Sequence, residues 1–346
     1  MRKQDNLKKK NILNKIFIKV CRIFGYEIID QSNFFVPTQK KNLDDNLNIQ
    51  GKKSIVPPLG EVKISRKVKA LTVIFRSCTN VNMLTQSKKR LFDEKKSEYT
   101  FRSLNSIINS LNNAKLKFPK IKFEIIVIDY KSTQNDINQI NKQLKKSDIQ
   151  NSLISLNVDD FVKNIKSLNE KNEKVTQNQM SNMCNIHKSL ITAKHQCEDL
   201  IYFVEDDYIH SQDTIFEMIL TYERIASQLN SELILCPADY PYLYTKMDST
   251  KIFLGHSKHW RKIDETLCTF LTSKILIEKY WNEFVSMCQF EHYPFEKPLH
   301  KIYKMEYCLS PIPSLAFHCT NVNSIFGIAP NLKWKKIWDE NENYNS

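Results

Sequence analysis

The sequence predicts an α/β protein built on a mostly parallel central sheet with helices on both faces. Three observations lead there. Apolar runs such as Ala70–Ser77 (ALTVIFRS), Phe123–Asp129 (FEIIVID) and Leu200–Glu205 (LIYFVE) have the length and continuity of strands buried on both sides. Segments with helical apolar spacing lie between them. The 346 residues, 41% of them hydrophobic, are enough to cover such a sheet.

Regular structure is expected from Ala70 onward. After the first strand, Phe101, Leu104, Ile107, Ile108 and Leu111 give residues 100–114 one apolar helical face. The second strand, Phe123–Asp129, leads through Lys131-Ser132-Thr133 into a helix carrying Ile137, Ile140 and Leu144. A short strand at Ser152–Leu156, a helix over 178–196 and the strand Leu200–Glu205 follow. Beyond these, 212–229 and 274–287 are expected to be helical, with strands at 233–236, 251–255 and 314–318. Ligands of sheets of this kind bind at the carboxyl ends of the strands.

The ends differ from this body. Residues 1–30 form a basic amphipathic helix, with Ile12, Ile16, Phe17, Val20 and Phe24 on one side and Lys15, Lys19 and Arg22 largely on the other. It is too charged to span a bilayer, and no cleavable signal follows. Two roles fit it: lying on an anionic membrane surface, or packing on the body with its lysines in water. Residues 31–69, with Pro37, Pro57-Pro58 and Gly60, are expected to be a linker or loose arm; 70–337 form the body and 338–346 a frayed polar tail.

Composition excludes several classes. Only five glycines occur and no G-x-G-x-x-G or Walker motif is present, so nucleotide chemistry needs another device. The nine cysteines include no C-x-x-C and suit a reducing compartment. The net charge of +13 is concentrated at the front: residues 1–69 hold 16 basic and 6 acidic residues, leaving only +3 for the other 277. A nucleic-acid partner is therefore not expected.

The strongest chemical signal is Glu205-Asp206-Asp207, directly after an apolar strand. Adjacent carboxylates repel, and a divalent cation at the strand end relieves them; a solvated turn capping the next helix is the plain alternative. Asp129 ends another strand and can accept hydrogen bonds from a base or ribose, or serve as a turn residue. Arg76 and Lys188 can each pair with a donor phosphate, or be a structural ion pair and a surface lysine.

Taken together, Ile126–Ser132 (IVIDYKS), Asn185–Ala193 (NIHKSLITA) and Ile201–Asp207 (IYFVEDD) resemble the GT-A fold glycosyltransferases, most closely the family 2-like group, over about 70–320. The resemblance implies a GT-A type nucleotide-diphospho-sugar transferase fold with nucleotide-sugar binding at Asp129. It also implies a D-x-D-like metal motif for Mn²⁺ or Mg²⁺, in which Asp207 is the ligand, Glu205 faces the ribose or donor sugar, and Asp206 belongs to the same donor site. Two departures stand out: Arg76-Ser77-Cys78 follows the first strand, and the first acid of the motif is Glu. The family also carries a catalytic base downstream, which Glu296 in Pro294–Leu299 matches, with Asp264 and Glu265 as rivals, and a late metal-binding histidine, which His318 matches. A structural histidine is the alternative for His318, and His256, His259 and His292 have no assigned geometry.

The expected activity is metal-dependent, inverting transfer of a sugar from a nucleotide-sugar donor to a glycan or lipid-linked acceptor of the cell envelope. The expected location is the cytoplasmic face of a membrane, with peripheral contact through residues 1–24. A nucleotidyltransferase on a similar sheet and a non-catalytic binding module are the alternatives.

Overall fold

The computed structural model describes residues 12–26, 53–56, 60–80, 91–245, 249–319 and 327–342. In chain order the elements are α1 (Ile12–Ile23), the hairpin β1 (Lys53–Val56) and β2 (Gly60–Lys63), β3 (Ala70–Ser77), α2 (Lys96–Lys117), β4 (Lys122–Asp129), α3 (Gln134–Lys146) and β5 (Gln150–Ser155). There follow α4 (Gln177–Gln196), β6 (Leu200–Glu205), β7 (Tyr208–His210), α5 (Thr214–Leu229), β8 (Leu233–Leu235), β9 (Ile252–Leu254), β10 (His259–Lys262) and β11 (Phe270–Ser273). The chain closes with α6 (Lys274–Lys279), α7 (Trp281–Gln289), α8 (Lys297–Met305), β12 (Tyr307–Ile312), β13 (Ala316–His318) and α9 (Trp334–Glu340).

Nine strands form one sheet in the order β5-β4-β3-β6-β11-β8-β12-β10-β9. Only β11 and β10 run against the rest, so the sheet is mostly parallel, as expected. Successive strand residues point to opposite faces, which sorts the core into two layers. Val73, Phe75, Ile125, Val127, Tyr202 and Val204 pack with apolar residues of α2, α3 and α5. Ile74, Ile126, Ile128, Ile201 and Phe203 pack with those of α4, α6, α7 and α8. This is the architecture that the GT-A resemblance implies.

The expected segments are found with local corrections. The helix 274–287 is two helices: Tyr280, at φ −111° and ψ 32°, ends α6 and opens α7. Strands β7, β10, β11 and β12 were not expected; the first three have three or four residues, and Pro311 interrupts the pattern of the last. All nine cysteines are free thiols and seven of them are buried.

The domain ends also shift. Arg66, placed in the linker, bonds Asp199 at 2.6 Å and Glu232 at 2.7 Å, and Lys67 pairs with Glu223 at 3.0 Å. Residues 66–69 therefore belong to the body. At the other end the tail expected from 338 begins inside α9. Trp338 is 4% exposed and stacks on Phe92 with centroids 3.8 Å apart, while the Arg102 guanidinium lies 4.4 Å over its ring. The flanking acids hid an apolar anchor.

Helix α1 exposes Ile12, Leu13, Ile16, Phe17, Val20, Ile23 and Phe24, from 43% for Val20 to 75% for Ile23. No helix among the described residues is long and apolar enough to cross a membrane.

If α9 is an anchor, Trp338→Ala should cost about 3–5 kcal/mol in urea unfolding, the usual penalty for emptying a buried aromatic site. A loss below about 0.5 kcal/mol, typical of a surface change, is the result expected of a frayed tail.

Candidate active site

Parallel register brings the sequence motifs to one edge. Ser77 pairs with Asp129 and Arg76 with Glu205, so β3, β4 and β6 end side by side. Above that edge opens a cleft of about 240 Å³, lined by Arg76, Lys96, Tyr130, Asn182, Glu205 and Asp207 among others. Its far wall is the first half of α4, whose start is fixed by Thr176 accepting from the Gln179 N–H at 3.2 Å.

The three adjacent acids have three different basic partners. Glu205 pairs with Arg76 at 3.0 Å, and Arg76 also donates to Asn182 Oδ1 at 3.1 Å. Burial raises the Glu205 carboxyl above its ordinary value, and the Arg76 charge opposes this. Asp206 Oδ1 accepts from Lys96 Nζ at 2.5 Å; its Oδ2 accepts from the Cys78 N–H at 3.1 Å and the Thr100 hydroxyl at 2.8 Å. Asp207 Oδ2 lies 3.1 Å from His318 Nε2. The short pairing of β13 with β7 sets this last contact, because His318 is opposite Tyr208 and the two rings stack 4.8 Å apart.

Arginine and lysine keep their protons, whereas imidazole can release one and become a ligand. Only Asp207 faces such a group. Ligands of a Mg²⁺-sized ion sit about 2.0–2.1 Å from it, so two adjacent octahedral positions are about 3 Å apart. The Asp207–His318 separation fits that spacing, and imidazole suits Mn²⁺. No group of three or more His, Cys, Asp or Glu capable of holding a metal occurs among the described residues. A two-donor seat completed by water and phosphate oxygens is the usual arrangement for such ions.

Glu296 precedes α8 and is half-buried. Burial pushes its carboxyl up to about 7, and the nearby Glu205 charge adds to the effect. His318 acts on it in the opposite direction, so Glu296, Glu205 and His318 share one electrostatic neighbourhood. Its rivals lie elsewhere. Asp264 and Glu265 are exposed beside a separate pocket with Tyr242 and Arg261, and Asp264 pairs with Lys262 at 3.2 Å.

The other expected site residues have the following surroundings. Asp129 is 3% exposed and accepts from the Ser77 and Ser132 hydroxyls at 2.6 Å each and from the Ser132 N–H at 3.1 Å. Burial raises its carboxyl and the serine bonds oppose that. Its neighbours Tyr130 and Ser77 line the cleft. Lys188 is not among the residues lining the cleft; the face of α4 that lines it carries Asn178, Gln179, Ser181, Asn182 and Asn185. His292 bonds Glu170 at 3.0 Å, His256 packs edge-on against Phe216, and His259 sits exposed on β10. Lys96 was missed because the helix expected from 100 starts four residues earlier. The amides at 178, 182 and 185 share one helical face, a signal legible in the sequence.

A carboxyl raised in the folded state binds its proton more tightly there than in the unfolded chain. Its contribution is therefore fully favourable below the ordinary value of 4.5 and is lost as pH rises toward about 7. Glu296→Gln should leave stability nearly unchanged at pH 4.5 and raise it by about 2 kcal/mol at pH 8, measured by urea unfolding. Equal effects at both pH values would show that the carboxyl is not held up.

No family model and no curated protein matches the chain. Among solved structures it is similar to S. aureus TarS, with 11% identity and a TM-score of 0.35 over 61% of this chain and 29% of that one. It is similar to the galactosyltransferase LgtC in complex with donor and acceptor sugar analogues, with 9% identity and 0.36 over 78% and 95%. UDP-glucose pyrophosphorylase complexed with UDP-glucose gives 8% and 0.38 over 80% and 97%. The chain spans less than a third of the TarS chain. The fold stands on the chain's own topology: a mostly parallel α/β sheet, covered on both faces, with the three sequence motifs gathered at its carboxyl edge.

Proposed function

We propose that the chain is a glycosyltransferase that moves a sugar from a nucleotide-sugar donor to a glycan or lipid-linked acceptor with inversion. The observation that carries this reading is the Asp207–His318 pair beside the cleft, with the raised carboxyl of Glu296 in the same electrostatic neighbourhood. Asp207 and His318 are the residues to hold Mn²⁺ or Mg²⁺, which when bound supplies positive charge to the departing diphosphate.

The chain's own residues do the rest. Arg76, fixed by Glu205 and Asn182, presents a guanidinium to the cleft where an anionic donor lies. The amide row of α4 supplies neutral donors and acceptors for sugar hydroxyls and ribose. Glu296 takes the proton from the attacking acceptor hydroxyl, and a value near 7 suits a base working near neutrality.

The exposed apolar face of α1 supports peripheral membrane contact, on the cytoplasmic side in this reading. Lys19 and Arg22 share that helix, and most of the net charge lies in residues 1–69. Such a helix buries its apolar side among lipid tails and its cations among anionic headgroups. The double variant Ile16→Glu/Phe17→Glu should reduce co-sedimentation with anionic vesicles by about tenfold or more at low salt and leave the melting temperature unchanged. A lower melting temperature with unchanged sedimentation would assign α1 to packing instead.

Activity is tested by incubating the protein with sugar nucleotides, acceptor and Mn²⁺. Release of nucleoside diphosphate is expected. Asp207→Asn should abolish it, and Glu296→Gln should lower turnover by about a hundredfold while sparing donor affinity. Pyrophosphate-dependent conversion of the sugar nucleotide would instead indicate nucleotidyl transfer.

A further inference from the structure

Asp206 lies between the two acids given roles above, yet it is bound on every side. Lys96, the first residue of α2, lines the cleft with its ammonium 2.5 Å from Asp206 Oδ1, and both side chains are only 13% exposed. The other oxygen, Oδ2, is held by Cys78 and Thr100. Burial works against the Lys96 charge, but the Asp206 and Asp207 carboxylates outweigh it and hold the lysine above its ordinary value.

An ammonium has no lone pair and cannot itself bind a metal. It removes one oxygen of Asp206 from a cation's reach and adds a positive charge close to the seat. Asp206 and Asp207 both line the cleft, so an Asp206 oxygen freed of the ammonium is a candidate third donor beside Asp207 and His318. More protein donors and more negative charge raise the affinity of a site for a hard cation.

We propose that Lys96 is a positioning residue, a built-in counter-cation that keeps Asp206 out of the metal seat so that firm metal binding depends on the donor's diphosphate. The inference rests on the metal-dependent reading of Asp207 and His318. It also gives the adjacent acids separate duties: Asp206 ties β6 to α2 and to the turn after β3, while Asp207 faces the ligand.

The test is Mn²⁺ binding by the full chain without nucleotide, followed by electron paramagnetic resonance of free Mn²⁺. Wild type should bind Mn²⁺ weakly, and added inorganic pyrophosphate should strengthen it. Lys96→Met should bind Mn²⁺ alone about tenfold more tightly or better, and Lys96→Arg, which keeps the charge, should stay within about threefold of wild type. Adding Asp206→Asn to Lys96→Met should remove most of the gain. Near-UV circular dichroism checks folding, and Lys96→Gln makes the same comparison if the methionine variant does not fold. A folded, charge-free variant no tighter than wild type overturns the proposal, as does a double variant that keeps the whole gain. Asp207→Asn separates the two layers: if it binds Mn²⁺ with pyrophosphate as wild type does, the seat itself is wrong and the role of Lys96 falls with it.

Discussion

Three consecutive carboxylates at the end of a buried strand repel one another unless basic partners lie beside them, and the site is arranged around that constraint. Arg76 comes from the neighbouring strand, Lys96 from the first turn of α2 and His318 from the end of β13. Each meets one acid. The strand register of β3 with β6 supplies the first partner, and the small β7–β13 pair supplies the third, an imidazole. Fold and electrostatics are thus one problem, because moving any of these elements leaves a partly buried charge without its partner.

The compensation is unequal, and the proposed chemistry rests on that inequality. Permanent cations sit on Glu205 and Asp206, and both acids line the cleft. The titratable partner of Asp207 leaves a pair able to change from an internal hydrogen bond to shared ligation. Glu296 adds a carboxyl held near neutrality by burial. The cleft floor is charge-balanced at the strand ends where such sheets bind ligands, and in the proposed reading Asp207 with His318 would hold the metal and Glu296 would act as the base beside it.

How much of this was legible in the sequence depends on how local each signal is. The strands around Val73, Ile126 and Phe203 are continuous apolar runs, so their pattern alone locates them. Strands β10 and β11 are short, β12 is interrupted by Pro311, and all three join the sheet through long-range pairing, which leaves little local trace. The Lys96–Asp206 bond spans 110 residues and the His318–Asp207 contact 111; the second was reached only through resemblance to a family, and the first not at all. Asp129 and Lys188 were correctly placed on their elements, but a residue's element does not fix its partners. Two serines donate to Asp129, and the α4 residues lining the cleft are four amides and Ser181.

The division of labour among the acids can be tested directly by diffraction at the manganese absorption edge from crystals soaked with Mn²⁺ and a nucleoside diphosphate. The account expects one anomalous peak in contact with both Asp207 and His318, with Lys96 still on Asp206 and Arg76 still on Glu205. A peak held by Glu205 or Asp206, with His318 turned away, would contradict it.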